Sequence, residues 1–286
     1  GTGVLMSSMT QRSIDMSRHV VTASTRHESA HLHVTGEAVY TDDIPLPRDA
    51  LSAAIGYAPA AHAALKAVDL TAVRAAKGVV AVFTATDVPG VNNYGGIKLD
   101  DPILATDLIE YHGQPVFVVV AETHGLARKA ARLAKYELEL RTPILSVDDA
   151  LAAKSYVLNP VVTGCGDAET ALARAPHRIS GKAAHGGQDH FYLEGHIAFA
   201  TPREDGQIDI HCSTQHPTEV QHIVARAMAK PDAMIRVECR RMGGGFGGKE
   251  SQPALFASLC AMAASRLGRT VKLRLDRDDD MIITGK

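Results

Sequence analysis

The sequence predicts an α+β fold, and three observations support this. Apolar, β-branched runs of strand length recur, as at residues 79–83 and 115–120. Amphipathic helical stretches lie between such runs, the clearest of them after Thr123. Glycine and proline turn signals separate these segments. Strand, helix and strand therefore alternate along the chain.

In the first half, strand patterns cover residues 52–58, 79–83, 115–120 and 136–140. Asp69 is a predicted N-cap for a short helix through Ala76, which Gly78 closes. Thr123 is the predicted N-cap of a helix. The face that this helix buries is predicted to contain Leu126, Ala130, Leu133 and Ala134. Residues 141–147 and a short helix after them are interpreted as a junction between domains.

In the second half, alternation predicts strands at 207–212, 235–239 and 271–275. A helix is predicted over 218–229, with Pro217 suited to its first position. An alanine-rich helix is predicted over about 252–267. Between the strand at 235–239 and this second helix lies a glycine-rich loop.

The composition limits the possible classes of protein. A chain of 286 residues is long enough for about two domains. Its net charge of −2 provides no basic surface for nucleic acid or anionic lipid. No apolar run approaches the roughly 20 residues that span a bilayer. Residues 1–28 lack the apolar core of a signal peptide, and we expect them to form a disordered tail.

Cysteines and histidines show no metal-binding pattern. The four cysteines are scattered and form no C-x-x-C pair, so we expect buried thiols in a reducing cytosol. His31 and His33 lie on a segment interpreted as alternating, where this spacing places both side chains on one face. A solvated face explains them better than a metal site.

The glycine-rich loop is the first candidate site. Residues 242–250 read MGGGFGGKE, with five glycines around Phe246. Glycine has no Cβ, so the backbone can approach a bulky ligand and present its N–H groups. The helix after the loop would direct its positive N-terminal end to the same point. A tight turn that needs positive φ is the alternative, and the density of glycines favours ligand contact.

A nucleotide-binding P-loop is the second alternative for this segment. Gly243, Gly248 and Lys249 satisfy the first part of that pattern. However, Glu250 stands where the pattern needs serine or threonine to bind magnesium. A carboxylate there would repel the phosphates, so we reject the P-loop.

Four segments together carry a resemblance to a known family: residues 186–194 (GGQDHFYLE), 213–217 (STQHP), 242–250 and 275–285 (LDRDDDMIITG). In this order and spacing they resemble the large subunit of the xanthine dehydrogenase and aldehyde oxidase family of molybdenum hydroxylases. The resemblance begins near residues 36–43 and continues to 286. It implies an α/β hammerhead domain at 29–150. It further implies, at 151–286, a molybdopterin-binding domain truncated on its C-terminal side.

The resemblance also implies roles for individual residues. Gln188 matches a glutamine that hydrogen-bonds an oxygen on molybdenum. The backbone of Gly244, Gly245, Phe246 and Gly247 would line the cofactor, with Phe246 near the metal.

Glu250 is implied to bind substrate. Xanthine-oxidising members resemble this chain in the acidic residue directly after Gly-Gly-Lys, whereas aldehyde-oxidising relatives tend to carry an apolar residue there. A carboxyl can pair with the ring nitrogens of a purine, but a simple aldehyde offers nothing to a buried charge. A helix N-terminal acid that complements the dipole is the alternative.

The implied reaction is the oxidation of hypoxanthine and xanthine to urate, and an aldehyde oxidase or another heterocycle hydroxylase is the alternative. The general-base glutamate and a substrate-pairing arginine are expected beyond Lys286, so we expect no catalytic residue in this chain and no turnover by it alone. The cofactor would be molybdenum–molybdopterin, with 2Fe–2S and FAD on a partner subunit of a cytoplasmic hetero-oligomer. A non-catalytic binding module is the alternative from another class.

Overall fold

The structure is a computed structural model, and it describes residues 26–284. The chain divides into a short unit that ends at Val39 and a large unit from Tyr40 onward. Residues 1–25 of the predicted tail lie outside the described residues. In the short unit, helix α1 (Ala30–Thr35) ends at Gly36, which adopts φ 77°.

The first half of the large unit contains strands at the predicted places. Its strands are β1 (Leu51–Tyr57), β2 (Ala63–Asp69), β3 (Val79–Thr84), β4 (Leu108–Ile109), β5 (Pro115–Ala121) and β6 (Lys135–Leu140). Its helices are α2 (Thr71–Arg74), α3 (His124–Ala131) and α4 (Val147–Ala152). The predicted strands at 52–58, 79–83, 115–120 and 136–140 are confirmed as β1, β3, β5 and β6.

The second half contains the predicted strands and helices in the predicted order, together with further elements that were not predicted. It contains α5 (Ala168–Arg174), β7 (Ile197–Pro202), β8 (Ile208–Cys212), α6 (Pro217–Ala227), β9 (Ile235–Glu238), α7 (Pro253–Leu267), β10 (Val271–Arg274) and α8 (Arg277–Ile283). Pro217 is the first residue of α6, as predicted. Residues Ile208, Ile210 and Cys212 are buried on one side of β8, which confirms the alternation.

Seven strands form one mixed sheet, in the order β3-β5-β1-β10-β7-β8-β9. Strand β10 runs parallel to β1, with Leu51 opposite Val271, and it is antiparallel to β7. Strands from both halves of the chain therefore lie in the same sheet, and the domain boundary near residue 150 stays a prediction. A smaller sheet has the order β4-β2-β6.

Two clusters of buried apolar residues pack against the strands and helices described above. Strand β5 is buried along its whole length. Its Val118 and Val120 belong to one cluster, and its Phe117 and Val119 belong to the other. Helix α7 belongs to the first cluster and is buried from Pro253 to Ala264. The glycine-rich loop is thus followed directly by an element of the core.

Several local predictions were wrong. Residues 30–35 form a helix rather than an alternating strand, so His31 and His33 lie about 200° apart around its axis instead of on one face. Helix α3 ends at Ala131, and Leu133 is 45% exposed. Helix α2 begins at Thr71, although Asp69 accepts the expected bond from the Thr71 N–H at 2.9 Å.

Only part of the expectation for the cysteines holds. Cys212 and Cys260 are buried, Cys239 is half-buried and Cys165 is exposed. Burial raises the pKa of Cys260 to about 12 and also raises the pKa of Cys212. Both of these core thiols therefore stay protonated, as packing residues do.

None of the helices in residues 26–284 has both the length and the apolarity that crossing a bilayer requires.

Thr123 caps α3, because its Oγ1 accepts a hydrogen bond from the Leu126 N–H at 3.3 Å. We expect Thr123→Ala to lower the free energy of unfolding by about 1 kcal/mol, measured by urea denaturation. Thr218→Ala is the control, since Thr218 is an exposed residue in the first turn of α6. An equal effect of both changes would contradict a role for the cap.

Candidate functional site

The glycine-rich loop contains a tight turn between Gly245 and Gly248. The Gly248 N–H donates to the Gly245 carbonyl at 2.7 Å. The two central residues, Phe246 and Gly247, have φ of 54° and 92°. This is the left-handed region, which costs about 1–2 kcal/mol for a residue with a side chain and little for glycine. Phe246 adopts this conformation while the residue is 72% exposed.

Three successive N–H groups in this loop have no partner among the described residues. They belong to Gly244, Gly245 and Phe246. The N–H of Gly247, by contrast, donates to Gln215 Oε1 at 2.9 Å. Of the four loop positions predicted to line a cofactor, three thus present a free N–H group, and Gly247 contributes the shape of the turn.

The STQHP segment lies directly against this loop. Gln215 Oε1 accepts from the N–H of Gly247 and, at 3.2 Å, from the N–H of Lys249. The Gln215 N–H in turn donates to the Lys249 carbonyl at 2.8 Å. Sequence reasoning did not select Gln215, although its motif had been recognised. A side-chain amide that satisfies two loop N–H groups is visible only once the segments are brought together.

The segment 186–194 contacts the loop through its last residues. Glu194 Oε2 accepts from the Gly243 N–H at 2.9 Å, and the Glu194 N–H donates to the Gly243 carbonyl at 3.2 Å. The side chains of His190 and Tyr192 lie next to Gly248. Two of the predicted motifs therefore meet the glycine loop at three different points.

Gln188 lies two residues before this contact. It is exposed, and its Nε2 donates to the Gly187 carbonyl at 3.4 Å. Among the described residues its side chain forms no other hydrogen bond. The structure thus brings the segment of Gln188 to the loop without joining Gln188 itself to it.

Lys249 points inwards and is completely buried. Its Nζ donates to the Glu194 carbonyl at 2.5 Å and to Ser213 Oγ at 2.8 Å. It also lies 3.5 Å from Glu194 Oε2 and 4.7 Å from the centre of the Tyr192 ring. Burial lowers the pKa of Lys249, and the negative charge of Glu194 opposes this effect. A P-loop lysine must reach phosphates, so this orientation agrees with the rejection of that motif.

The buried Asp280 of helix α8 accepts hydrogen bonds from residues next to the site. Asp280 Oδ1 accepts from the Tyr192 hydroxyl at 2.6 Å, and Oδ2 accepts from the His196 N–H at 2.9 Å. Burial, followed by the bond to Asp280, raises the pKa of Tyr192. The fourth motif, 275–285, therefore takes part in the arrangement. The sequence pattern alone did not predict which residue of this motif would contact the site.

Glu250 follows Lys249 directly in the chain, but its surroundings differ from those of the lysine. Its side chain is exposed, and no described residue forms a hydrogen bond or an ion pair with its carboxylate. It precedes the first residue of α7 by three positions. The position suits both predicted readings, a substrate contact and an acid near the helix dipole.

The loop fits an anionic cofactor of the predicted kind. Side chains cannot fill the space at most of its positions, since a Cβ on Gly245 or Gly248 would lie under 3.0 Å from neighbouring atoms. Its three free N–H groups are donors for ligand oxygen or nitrogen atoms. In residues 26–284 no group of three or more histidine, cysteine or acidic side chains could hold a metal ion directly. In this loop the candidate hydrogen-bond donors to a cofactor are thus backbone N–H groups.

Comparison with known proteins agrees with this geometry. Residues 35–142 match the family described as aldehyde oxidase and xanthine dehydrogenase, a/b hammerhead domain. Residues 153–286 match the family described as molybdopterin cofactor-binding domain. The predicted fold class, a hammerhead domain followed by a molybdopterin-binding domain, is confirmed.

The individual relatives include xanthine dehydrogenases and aldehyde oxidases. The chain is 38% identical over 262 residues to a xanthine dehydrogenase of Calliphora vicina, covering 91% of this chain and 19% of that protein. It is 41% identical over 267 residues to a probable aldehyde oxidase of Oryza sativa, covering 90% of this chain and 20% of that protein. The chain therefore spans about a fifth of the length of these relatives.

A solved structure shows the same fold. The aldehyde oxidoreductase of Desulfovibrio gigas superposes with a TM-score of 0.79 at 28% identity, over 91% of this chain and 30% of that chain. Quinoline 2-oxidoreductase of Pseudomonas putida 86 gives 0.78 at 25% identity, over 92% and 36%. With both domains matched in order and the four motifs gathered around one loop, the chain belongs to the xanthine dehydrogenase and aldehyde oxidase family of molybdenum hydroxylases.

Proposed function

We propose that this chain is part of a molybdenum hydroxylase that oxidises hypoxanthine and xanthine to urate. The observation that carries the proposal is the exposed, unpaired carboxylate of Glu250 at the end of the glycine-rich loop. An acidic residue at this position is the feature that the resemblance associates with purine oxidation. The identities to xanthine dehydrogenases and to aldehyde oxidases are too similar to separate the two substrates.

The chemistry of the substrate supports this assignment. A purine presents ring N–H donors and nitrogen acceptors, and a carboxyl group can pair with them. An aldehyde without such groups would leave the same carboxylate desolvated and unpaired in the closed site, which costs free energy. Glu250 would therefore bind and orient a purine and would stabilise charge that develops on the heterocycle during the reaction.

Other residues of the chain would hold the cofactor. When bound, molybdenum–molybdopterin supplies the two-electron oxidation, with water as the source of oxygen. The free N–H groups of Gly244, Gly245 and Phe246 would bind it, and Gly247 would shape the turn that presents them. Gln188 would hydrogen-bond an oxygen on the metal, with its exposed side chain free to turn towards it. A partner subunit with 2Fe–2S clusters and FAD would take up the electrons, in a cytoplasmic hetero-oligomer.

An aldehyde-oxidising enzyme is the second candidate, because the rice protein, a probable aldehyde oxidase, is about as similar to this chain as the xanthine dehydrogenases are. Under that hypothesis Glu250 serves only as an acid near the N-terminus of α7, where it would contribute about 0.3–1 kcal/mol.

Replacing Glu250 with valine in the complete enzyme separates these candidates. We expect kcat/KM for xanthine to fall by about 100-fold or more, because the purine loses a charged hydrogen-bond partner. Activity towards an aromatic aldehyde should change by less than about tenfold, since this substrate makes no such bond. Steady-state kinetics with both substrates measures the difference.

Glu169→Val is the matched control, because Glu169 also lies in the first turn of a helix, α5, and is exposed. It should leave both activities unchanged. Equal losses for xanthine and aldehyde in Glu250→Val would disprove purine recognition by Glu250. Purified enzyme that contains neither molybdenum nor pterin and oxidises neither substrate would instead support a non-catalytic binding module.

A further inference from the structure

Lys249 is the one lysine or arginine that is buried in residues 26–284. Placing an ammonium group in the interior is costly unless hydrogen bonds and an opposite charge compensate for the lost water. Here the compensation comes from Glu194, from the hydroxyl of Ser213 and from the face of the Tyr192 ring. All three partners lie in the two motifs that surround the glycine-rich loop.

These partners in turn hold the start of the loop. Glu194 Oε2 accepts from Ser213 Oγ at 2.6 Å and from the Gly243 N–H at 2.9 Å. The ammonium of Lys249 is 3.5 Å from the same oxygen. The ammonium therefore lies beside the same carboxylate oxygen that accepts from the Gly243 N–H, and it provides the opposite charge there.

The backbone of Lys249 holds the end of the loop. Its N–H donates to Gln215 Oε1 and its carbonyl accepts from the Gln215 N–H. The free N–H groups of Gly244, Gly245 and Phe246 thus lie between two attachment points, and Lys249 is involved in both. A change at the ammonium would alter only the first, because the backbone bonds do not depend on the side chain.

We propose that Lys249 is a positioning residue, whose buried ammonium sets the shape of the glycine-rich loop for the cofactor by acting through Glu194 and Ser213. This inference rests on the proposed function, since it assumes that the loop binds molybdopterin. Lys249 itself would touch no cofactor, because its side chain is completely buried and its ammonium is bound to Glu194 and Ser213.

The arrangement predicts what happens when the charge is removed. Glu194 Oε1 is buried and has no hydrogen-bond partner among the described residues. Without the ammonium, the carboxylate would keep two neutral donors and no counter-charge. An uncompensated buried charge is strongly unfavourable, so the Glu194 carboxylate would move towards water, and the Gly243 N–H would lose its acceptor. Neutralising both partners at once avoids this penalty.

The test uses the complete cofactor-containing protein with three variants: Lys249→Met, Glu194→Gln and the double variant. Pterin per folded protein is measured by fluorescence after oxidative release, molybdenum by mass spectrometry, and folding by circular dichroism. We expect Lys249→Met to retain about tenfold less pterin than the wild type at a temperature where it is fully folded. The double variant should recover to within about threefold of the wild type, since the two changes are coupled.

Lys77→Met, a change at an exposed lysine, is the control and should have no effect. A residue that merely stabilised the fold would lower the melting temperature without lowering pterin content in the folded fraction, and that result would overturn the proposal. Pterin content within about twofold of the wild type in Lys249→Met would overturn it as well. If Lys249→Met does not fold, Glu194→Gln decides, and undiminished pterin in this variant counts against the proposal.

The failure of this inference is distinguishable from failure of the proposed function. Wild-type protein without pterin would refute the function itself. Wild-type protein that contains pterin, together with variants that retain it, would refute only the role of Lys249.

Discussion

Asp280→Ala is expected to lower the free energy of unfolding by about 2–4 kcal/mol, the largest loss we predict for a polar side chain of this protein. Asp280 is 1% exposed, and it accepts hydrogen bonds from the Tyr192 hydroxyl, the His196 N–H and, at 3.0 Å, Thr284 Oγ1. Alanine would remove the carboxylate that accepts these bonds, whereas Thr284 Oγ1 would keep its bond to the carbonyl of residue 280 at 2.6 Å. The urea midpoint of the complete protein measures the effect.

Asp278→Ala is the matched control, because Asp278 lies in the same helix and is exposed. It should shift the midpoint little, as surface changes usually stay within about 0.5 kcal/mol. Asp280→Asn should be intermediate, since an amide oxygen still accepts but carries no charge. Equal midpoints for Asp280→Ala and Asp278→Ala would show that the buried bonds contribute nothing.

The second large effect is expected at Gly248, where replacement by valine should weaken the binding of the cofactor. A Cβ at this position would lie 2.7 Å from Tyr192 Cε1 and 2.8 Å from His190 Nδ1. Tyr192 cannot move aside cheaply, because Asp280 holds its hydroxyl. Overpacking of this kind costs about 1–3 kcal/mol. If this cost opposes the loop conformation that binds pterin, the affinity for pterin falls by about 5- to 150-fold.

Pterin content of the purified complete enzyme is the measurement for Gly248→Val. Gly181→Val is the control, because a Cβ on Gly181 meets no atom within 4 Å. The two variants should differ in pterin content even where both are folded. A Gly248→Val enzyme that keeps a full complement of pterin would mean that the cofactor does not depend on this turn.

The strands that sequence patterns predicted are those whose burial is regular. Strand β5 is an unbroken β-branched run, and β8 alternates between buried and half-buried residues. Strand β2 was missed because Ala63–Asp69 is rich in alanine and contains Lys66, so its composition gives no strand signal. It exists because it pairs with β6 and β4, and pairing partners distant in the chain are not visible in a local pattern.

The candidate site was predictable in its parts. Glycines around Phe246 indicated a loop with exposed backbone, and the motifs containing Gln188 and Gln215 were predicted to belong to the same site. The particular N–H groups left free were not predictable. The N–H of Gly247 bonds to Gln215 Oε1, whereas those of Gly244, Gly245 and Phe246 find no acceptor.

The amino-acid sequence alone therefore determined the α+β class, the order of most elements and the family, because periodicity and motif spacing are local properties of the chain. Only the tertiary structure decided that Lys249 is buried while the adjacent Glu250 is exposed. Lys249 is buried because Glu194 and Ser213, 55 and 36 positions away, meet its ammonium. Glu250 stays exposed because no such partner approaches it. A charged side chain can leave water only where the fold supplies compensating groups, and those groups come from distant segments of the chain.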